Sequence, residues 1–234
     1  MMWSWCRAVL LALFLLAPLP ALAGDIIGDI IAKDGKATLR NDKAQELDAR
    51  VGMQVETGQL IKTAEGSTLE IRLADGSVFR IAAKSTFIID DFAIQGADSR
   101  QMTARMLTGA LQYVSKPARF KKDDRRIFLA NAAAAIRGED FIAFVGRRIE
   151  AVLISGKVEL SARSNTVMLD RRGQSVTFDS ASKFDRAVVL SDEQLVTLGA
   201  RLGWQIELPP QPEEGVAGTG PIPCALVGNS LVCG

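Results

Sequence analysis

The chain has 234 residues, 48% of them hydrophobic and 24% charged, with a formal charge of +1 and no histidine. Without histidine there is no Ser-His-Asp triad, no imidazole acid–base chemistry and almost no route to a catalytic zinc site. The balanced charge supplies no long-range positive field, so non-specific nucleic-acid binding is excluded too.

The first 23 residues read as a targeting segment outside the fold. Arg7 gives one positive charge, Ala8 to Leu19 is almost wholly apolar, and Ala21-Leu22-Ala23 fits the small-x-small site of a secretory signal peptide. The apolar run is shorter than the about 20 residues that cross a bilayer, which leaves an uncleaved anchor as the alternative. Cys6 precedes the apolar run, so it is not a lipoprotein acylation site. Cleavage after Ala23 leaves 211 of the 234 residues, with Gly24 first and 27 basic residues against 27 acidic ones. That length suits one large domain or two small ones. The expected location is the periplasm, or beyond it by export.

From Gly24 to Val114 the pattern predicts many short strands. Ile26 to Ile31 leads through Asp34-Gly35 to Ala37-Thr38-Leu39-Arg40. Val55 to Thr63 is followed by a turn at Glu65-Gly66-Ser67. Leu69, Ile71 and Leu73 then alternate with Glu70 and Arg72, and Val78, Phe79 and Ile81 resume after Asp75-Gly76, the signature of a hairpin with one wet face. Ser85 to Phe92 reads as a strand, residues 93–102 as a polar loop, and Met106 to Val114 as a strand again. Gly109-Ala-Leu-Gln-Tyr-Val resembles Gly156-Lys-Val-Glu-Leu, which suggests two comparable units. The mixed cluster Lys121 to Arg126 interleaves both signs and reads as a solvated turn.

Ala132 to Ala135 favours helix by propensity. Its shortness and strand-like flanks predict small residues at a tightly packed strand or sheet junction instead, with a single helical turn as the alternative. Strands follow at Ile149 to Leu160 and Val167 to Gln174. One helix is expected after the capping box Ser191-Asp192-Glu193-Gln194, with Leu195, Val196, Leu198 and Leu202 as its apolar stripe before Gly203. Residues 209–234 are rich in Pro and Gly and read as an appendage, with Cys224 and Cys233 expected to form a disulfide in an oxidising compartment. The fold class is therefore all-β: short strands in a compact sandwich or solenoid-like domain at 24–190, a helix and strand at 191–208, then the tail.

Several pieces resemble the periplasmic domain of the FecR family of iron-dicitrate sensors and anti-sigma regulators. They are Val55 to Thr63, Leu73 to Phe79 with Ser85-Thr86-Phe87, Ala135 to Phe141, Ser155 to Glu159, and Leu169 to Gln174. Together they cover about residues 26–178 in order. The family's usual Thr-Pro stands here as Asn131-Ala132, and its Arg-Gly-Thr-Asp-Phe as Arg137-Gly138-Glu139-Asp140-Phe141, which marks a divergent member. The resemblance implies an all-β, non-enzymatic domain in the envelope. It does not carry over anti-sigma activity, because the cytoplasmic segment of the regulatory members has no counterpart here.

Arg137, Gly138, Glu139, Asp140 and Phe141 are the candidate site. They can be a partner contact, or a semi-buried turn in which Arg137 pairs with Asp140 or a backbone carbonyl and Gly138 takes a positive φ. The turn is the expectation carried forward. Asp90 and Asp91 are adjacent in a strand and so expected on opposite faces, which removes them as a glycosidase pair. Asp25, Asp29 and Asp34 lack the loop of an EF-hand. No catalytic, cofactor or metal residue is assigned. The expected function is binding of an envelope protein, or a glycan, through loops or a strand edge. The alternatives are an accessory of FecR-like envelope signalling and a carboxylate-dependent glycan-processing enzyme. Oligomeric state stays open.

Overall fold

The computed structural model describes residues 24–115, 120–138, 140–179 and 183–210, with the backbone alone of 224–227 and 230–233. The expected signal segment and Glu139 lie outside the described residues. In chain order the strands are β1 (Ile26–Asp34), β2 (Ala37–Arg40), β3 (Glu46–Asp48), β4 (Gln54–Glu56), β5 (Leu60–Thr63), β6 (Thr68–Leu73), β7 (Val78–Ile81) and β8 (Thr86–Gln95). β9 (Ser99–Val114), β10 (Lys122–Leu129), β11 (Ala132–Ile136), β12 (Asp140–Val145), β13 (Ile149–Ser155) and β14 (Val158–Ala162) follow. β15 (Asn165–Leu169), β16 (Gln174–Phe178) and β17 (Val188–Val189) precede the helix α1 (Asp192–Leu202), and β18 (Cys224–Val227) and β19 (Ser230–Cys233) form a separate hairpin.

The pairings define two sheets packed face to face. Sheet A runs β4-β1-β6-β7-β9-β12-β13-β16-β17, all antiparallel. Sheet B runs β3-β2-β5-β8-β9-β10-β11-β14-β15, antiparallel except for the parallel pair β9–β10. β9 belongs to both. At about 3.3 Å per residue its 16 residues reach roughly 50 Å, far longer than an ordinary strand. Its first half pairs with β8 in sheet B and its last six residues pair with β7 and β12 in sheet A. The chain switches sheets at Gly109 (φ 95), where a Cβ would sit 2.2 Å from Ser85 Oγ. Other strands cross the same way with a break: β7 to β8 at 82–85, β11 to β12 at 137–139, β13 to β14 at Gly156-Lys157. Strands β1 to β17 thus form one continuous sheet, antiparallel except for β9–β10, creased along a line of corners. The likeness of Gly109 and Gly156 marks two such corners, traversed in opposite directions.

Alternation fills the space between the sheets. Ile71, Phe79, Phe87, Met106, Tyr113, Phe141 and Leu153 are fully buried there. Phe79 stacks at 4.8 Å from both Phe87 and Tyr113, and aromatic pairs add to what burial alone gives. Ser85 fastens the crease: its Oγ accepts from Ala110 N–H, and its N–H donates to Thr63 Oγ1.

α1 is the expected helix. Ser191 caps it reciprocally with Gln194, and Gly203 (φ 90) ends it. Leu195, Leu198 and Leu202 press onto the outer face of sheet A against Ala110, Ile142, Val152 and Ile154. Val196 is 53% exposed and falls outside the stripe, because the period of 3.6 favours positions 195, 198, 199 and 202.

Three further expectations are corrected. Residues 93–102 are mostly strand: β8 extends to Gln95 and β9 begins at Ser99, so polar side chains lie on the projecting ends of a long hairpin. The charged cluster is not a turn but the strand β10, whose period of two sends Arg125 inward and Arg126 outward. Cys224 stands opposite Cys233 in the β18–β19 ladder, yet no cysteine pair lies at disulfide distance.

Candidate functional site

The stretch 137–141 is the corner at which the chain leaves sheet B for sheet A. Arg137 is exposed, Gly138, Asp140 and Phe141 are buried. Gly138 does not take a positive φ. It is glycine because a Cβ would lie 2.6 Å from Lys157 N and 2.7 Å from both Gly156 Cα and Ser155 O, where the neighbouring corner passes. Phe141 is wholly in the core between the sheets.

Two polar networks meet at this corner. The inner one is ionic. Arg100, 3% exposed at the start of β9, donates to Asp75 in the β6–β7 turn at 2.9 Å and to both oxygens of Asp123 at 3.0 and 2.7 Å. Asp123 also accepts from Arg125 at 2.9 and 2.8 Å, and Arg125 Nη1 donates to the Gly138 carbonyl at 3.1 Å. Burial pulls the Asp123 carboxyl up, but the hydrogen bonds from Arg100 and Arg125 outweigh it and hold the group below its usual range. Burial likewise pulls the Arg100 guanidinium down, and Asp123 and Asp75 more than restore it. The carbonyl of this corner is thus bonded by Arg125, a residue outside the expected site.

The outer network surrounds Asp140, 8% exposed under α1. Gln112 Nε2 donates to its two oxygens at 2.8 and 2.9 Å, and Trp204 Nε1 donates to Gln112 Oε1 at 2.8 Å. Since an indole N–H only donates, it fixes the amide with its NH₂ toward Asp140. Burial raises the Asp140 carboxyl to about 7, against the opposing pull of the Gln112 bond and the Arg80 charge. A cavity of about 140 Å³ lies beside it, lined by Val78, Arg80, Gln112, Val114 and Glu207. This space holds a few waters at most. The expected Arg137–Asp140 pair is not made.

Gln112, Trp204, Arg80 and Arg100 were not legible as site residues. Trp204 offered one signal: it is the lone tryptophan after the N-terminal segment and directly follows the helix-ending glycine. Asp90 and Asp91 also depart from expectation. A bulge between Ile89 and Asp91 lets Asp90 bind Arg105 and Asp91 bind Gln101, two residues on the same outer face of β9. Asp29 pairs with Arg72. Among the described residues no group of three His, Cys, Asp or Glu could hold a metal ion.

The two outer faces of the sandwich differ. α1 covers sheet A, whereas nothing described covers sheet B. There, Ala133 and Ala135 of β11 floor a shallow groove of about 330 Å³ between Asp124, Arg126 and Phe128 on one side and Glu159 and Ser161 on the other, with Arg137 at its end. Phe128 is 37% exposed on its wall. Among the described residues no helix is long and apolar enough to cross a membrane.

Residues 59–159 match a family model described as FecR protein. Two crystal structures of a provisionally designated anti-sigma factor from Parabacteroides distasonis ATCC 8503, at 2.50 and 1.65 Å, are similar to the chain. The first has a TM-score of 0.49 and 16% identity, covering 60% of this chain and 63% of that one. The second has a TM-score of 0.48 and 12% identity, covering 59% and 63%. The chain thus spans less than two thirds of those proteins. No curated protein matches it.

Proposed function

We propose that the chain is a divergent FecR-type domain of the cell envelope that binds a protein partner on the outer face of sheet B, uncovered among the described residues, and has no catalytic activity. The observation that carries this reading is the asymmetry of the sandwich. The helix seals sheet A, while the groove over Ala133 and Ala135 is left open with apolar and charged walls. Such mixed, concave surface suits a protein contact, where aromatic and arginine side chains contribute most. The family match across β5 to β14 supports the same compartment and role. A place in FecR-like envelope signalling rests on that match alone and is the second reading. The polar networks at the corner act as positioning elements: they lock Gly138 and Asp140, and so the end of the groove at Arg137.

Capture from the native envelope tests this, comparing the parent chain with Phe128→Ser and Ala133→Lys on the groove and Val196→Ser on α1. The expected result is a partner retained by the parent and by Val196→Ser and lost from both groove variants at unchanged circular dichroism. Retention by the groove variants, or loss through Val196→Ser, would overturn the assignment of the face.

A further inference from the structure

Residues 192–209 leave sheet A and come back to it as one excursion of the chain. α1 runs out, Gly203 turns it, and the stretch 204–208 returns. Arg172 ties down both ends: its guanidinium pairs with Asp192 at 2.9 Å and donates to the Pro209 carbonyl at 2.6 Å. Away from that hinge the excursion is held by side chains. Trp204 bonds Gln112, Arg201 bonds Glu150 and lies over Phe144, and the leucines of α1 rest on Ala110, Ile142, Val152 and Ile154. Among the described residues, 205–208 join no strand and make no backbone-to-backbone hydrogen bond. Segments attached in this way open at lower cost than the ladders beneath them.

Asp140 lies under the far end of the excursion. Both hydrogen bonds to its carboxyl come from Gln112 of β9, a neutral amide. β13 places the uncharged Ser155 opposite it. The cation facing it is Arg80 of β7, which is shared with Glu70 of β6 at 3.4 Å, and Glu207 adds a second carboxylate to the same cavity. An ionised Asp140 is therefore buried without a hydrogen-bonded cation, a costly state that water would relieve. Most of the cavity wall cannot yield to water. Val78 opposes Val114, Arg80 opposes Gln112 and Val114 opposes Asp140 within the β7–β9–β12 ladders. The yielding wall is Glu207, on the stretch without backbone bonds.

We infer that α1 and residues 204–208 form a lid hinged at Arg172, and that a proton on Asp140 latches it shut over sheet A. The sign follows from linkage. Under the closed lid the carboxyl is raised to about 7, and in the open state it returns toward 3.8. Opening therefore releases a proton between those values, and the lid opens more readily as pH rises through this window. Above about 7 both states are ionised and nothing more is gained. Each unit inside the window multiplies the opening equilibrium about tenfold. The apolar strip Ala110, Ile142, Val152 and Ile154 is thus sealed in acid and becomes accessible toward neutral pH.

The test is hydrogen exchange of the full 234-residue chain from pH 4.5 to 8, with rates corrected for the intrinsic pH dependence of amides. The α1 amides are expected to be less protected than those of β9 and β12. Their protection should fall about tenfold per unit up to pH 7 and level off beyond. Asp140→Asn leaves Glu150, Asp192, Glu193 and Glu207 in place and should remove that slope. Arg80→Gln keeps the carboxyl but withdraws the cation facing it, so the levelling should move above pH 7. Four results would each overturn the inference: α1 protected as strongly as the sheets, no slope in α1, a slope kept by Asp140→Asn, or a levelling point that Arg80→Gln leaves unmoved.

Discussion

Asp140 shows how one side chain couples the fold to pH. Its carboxyl is raised by burial from 3.8 to about 7. Between those values the folded chain holds a proton that the unfolded chain has released. The stabilisation from this group is therefore fully present below about 3.8, declines as pH rises, and is gone above about 7. Each unit corresponds to 1.36 kcal/mol, so the whole span is on the order of 4 kcal/mol. The groups facing Asp140 are Arg80 on β7, Gln112 on β9 and Glu207 after α1. Asp140→Asn cannot titrate. Urea unfolding of variant and parent from pH 4.5 to 8 should show the variant gaining relative stability steadily as pH rises. Parallel curves would mean that Asp140 titrates alike in the folded and the unfolded chain and is ionised across this whole range. Acid loss through Asp123 runs the other way and below 3.8, so it does not intrude on the comparison.

The helix was readable from its caps and period, but not what it does to the sheet beneath it. Ser191, Gln194 and Gly203 announce the ends of α1 at the level of local backbone chemistry. The attachment depends on Trp204, Gln112 and Asp140, which lie as much as 92 residues apart, and on Arg201 stacked 3.9 Å over Phe144 and bonded to Glu150. Contacts between distant positions leave no periodic trace. β10 was missed for a related reason. Charged residues in alternation look like solvent-facing sequence until Arg100 and Asp75 are brought in to neutralise the inward ones. Removing the indole N–H by Trp204→Phe leaves Gln112 Oε1 without its donor in a buried position. That should cost about 1–2 kcal/mol in urea unfolding and speed hydrogen exchange in α1 before the sheets. Unchanged stability with unchanged exchange would show that apolar packing alone holds the helix.

For the molecule as a whole, the strand content and the all-β class were legible because period-two alternation records burial residue by residue. The crease was not, because alternation says nothing about which sheet a strand joins. The small residues of β11 read as a tightly packed junction, Gly138 as a turn, and Gly109 and Gly156 as parts of two similar strand segments, and only the paired corners explain them together. Gly138 separates two reasons for glycine. Its φ is ordinary, yet every atom it would crowd belongs to the backbone of the next corner. Gly52 has φ 84 with nothing within 4 Å of its missing Cβ. Gly52→Ala should therefore cost only the left-handed strain of about 1–2 kcal/mol. Gly138→Ala must push two corners of the crease apart and loosen the Arg125 bond to its carbonyl, for about 3 kcal/mol or more. If the two alanine variants unfold at the same urea concentration, the corners are not in rigid contact, and the sheets are held together by their facing side chains alone.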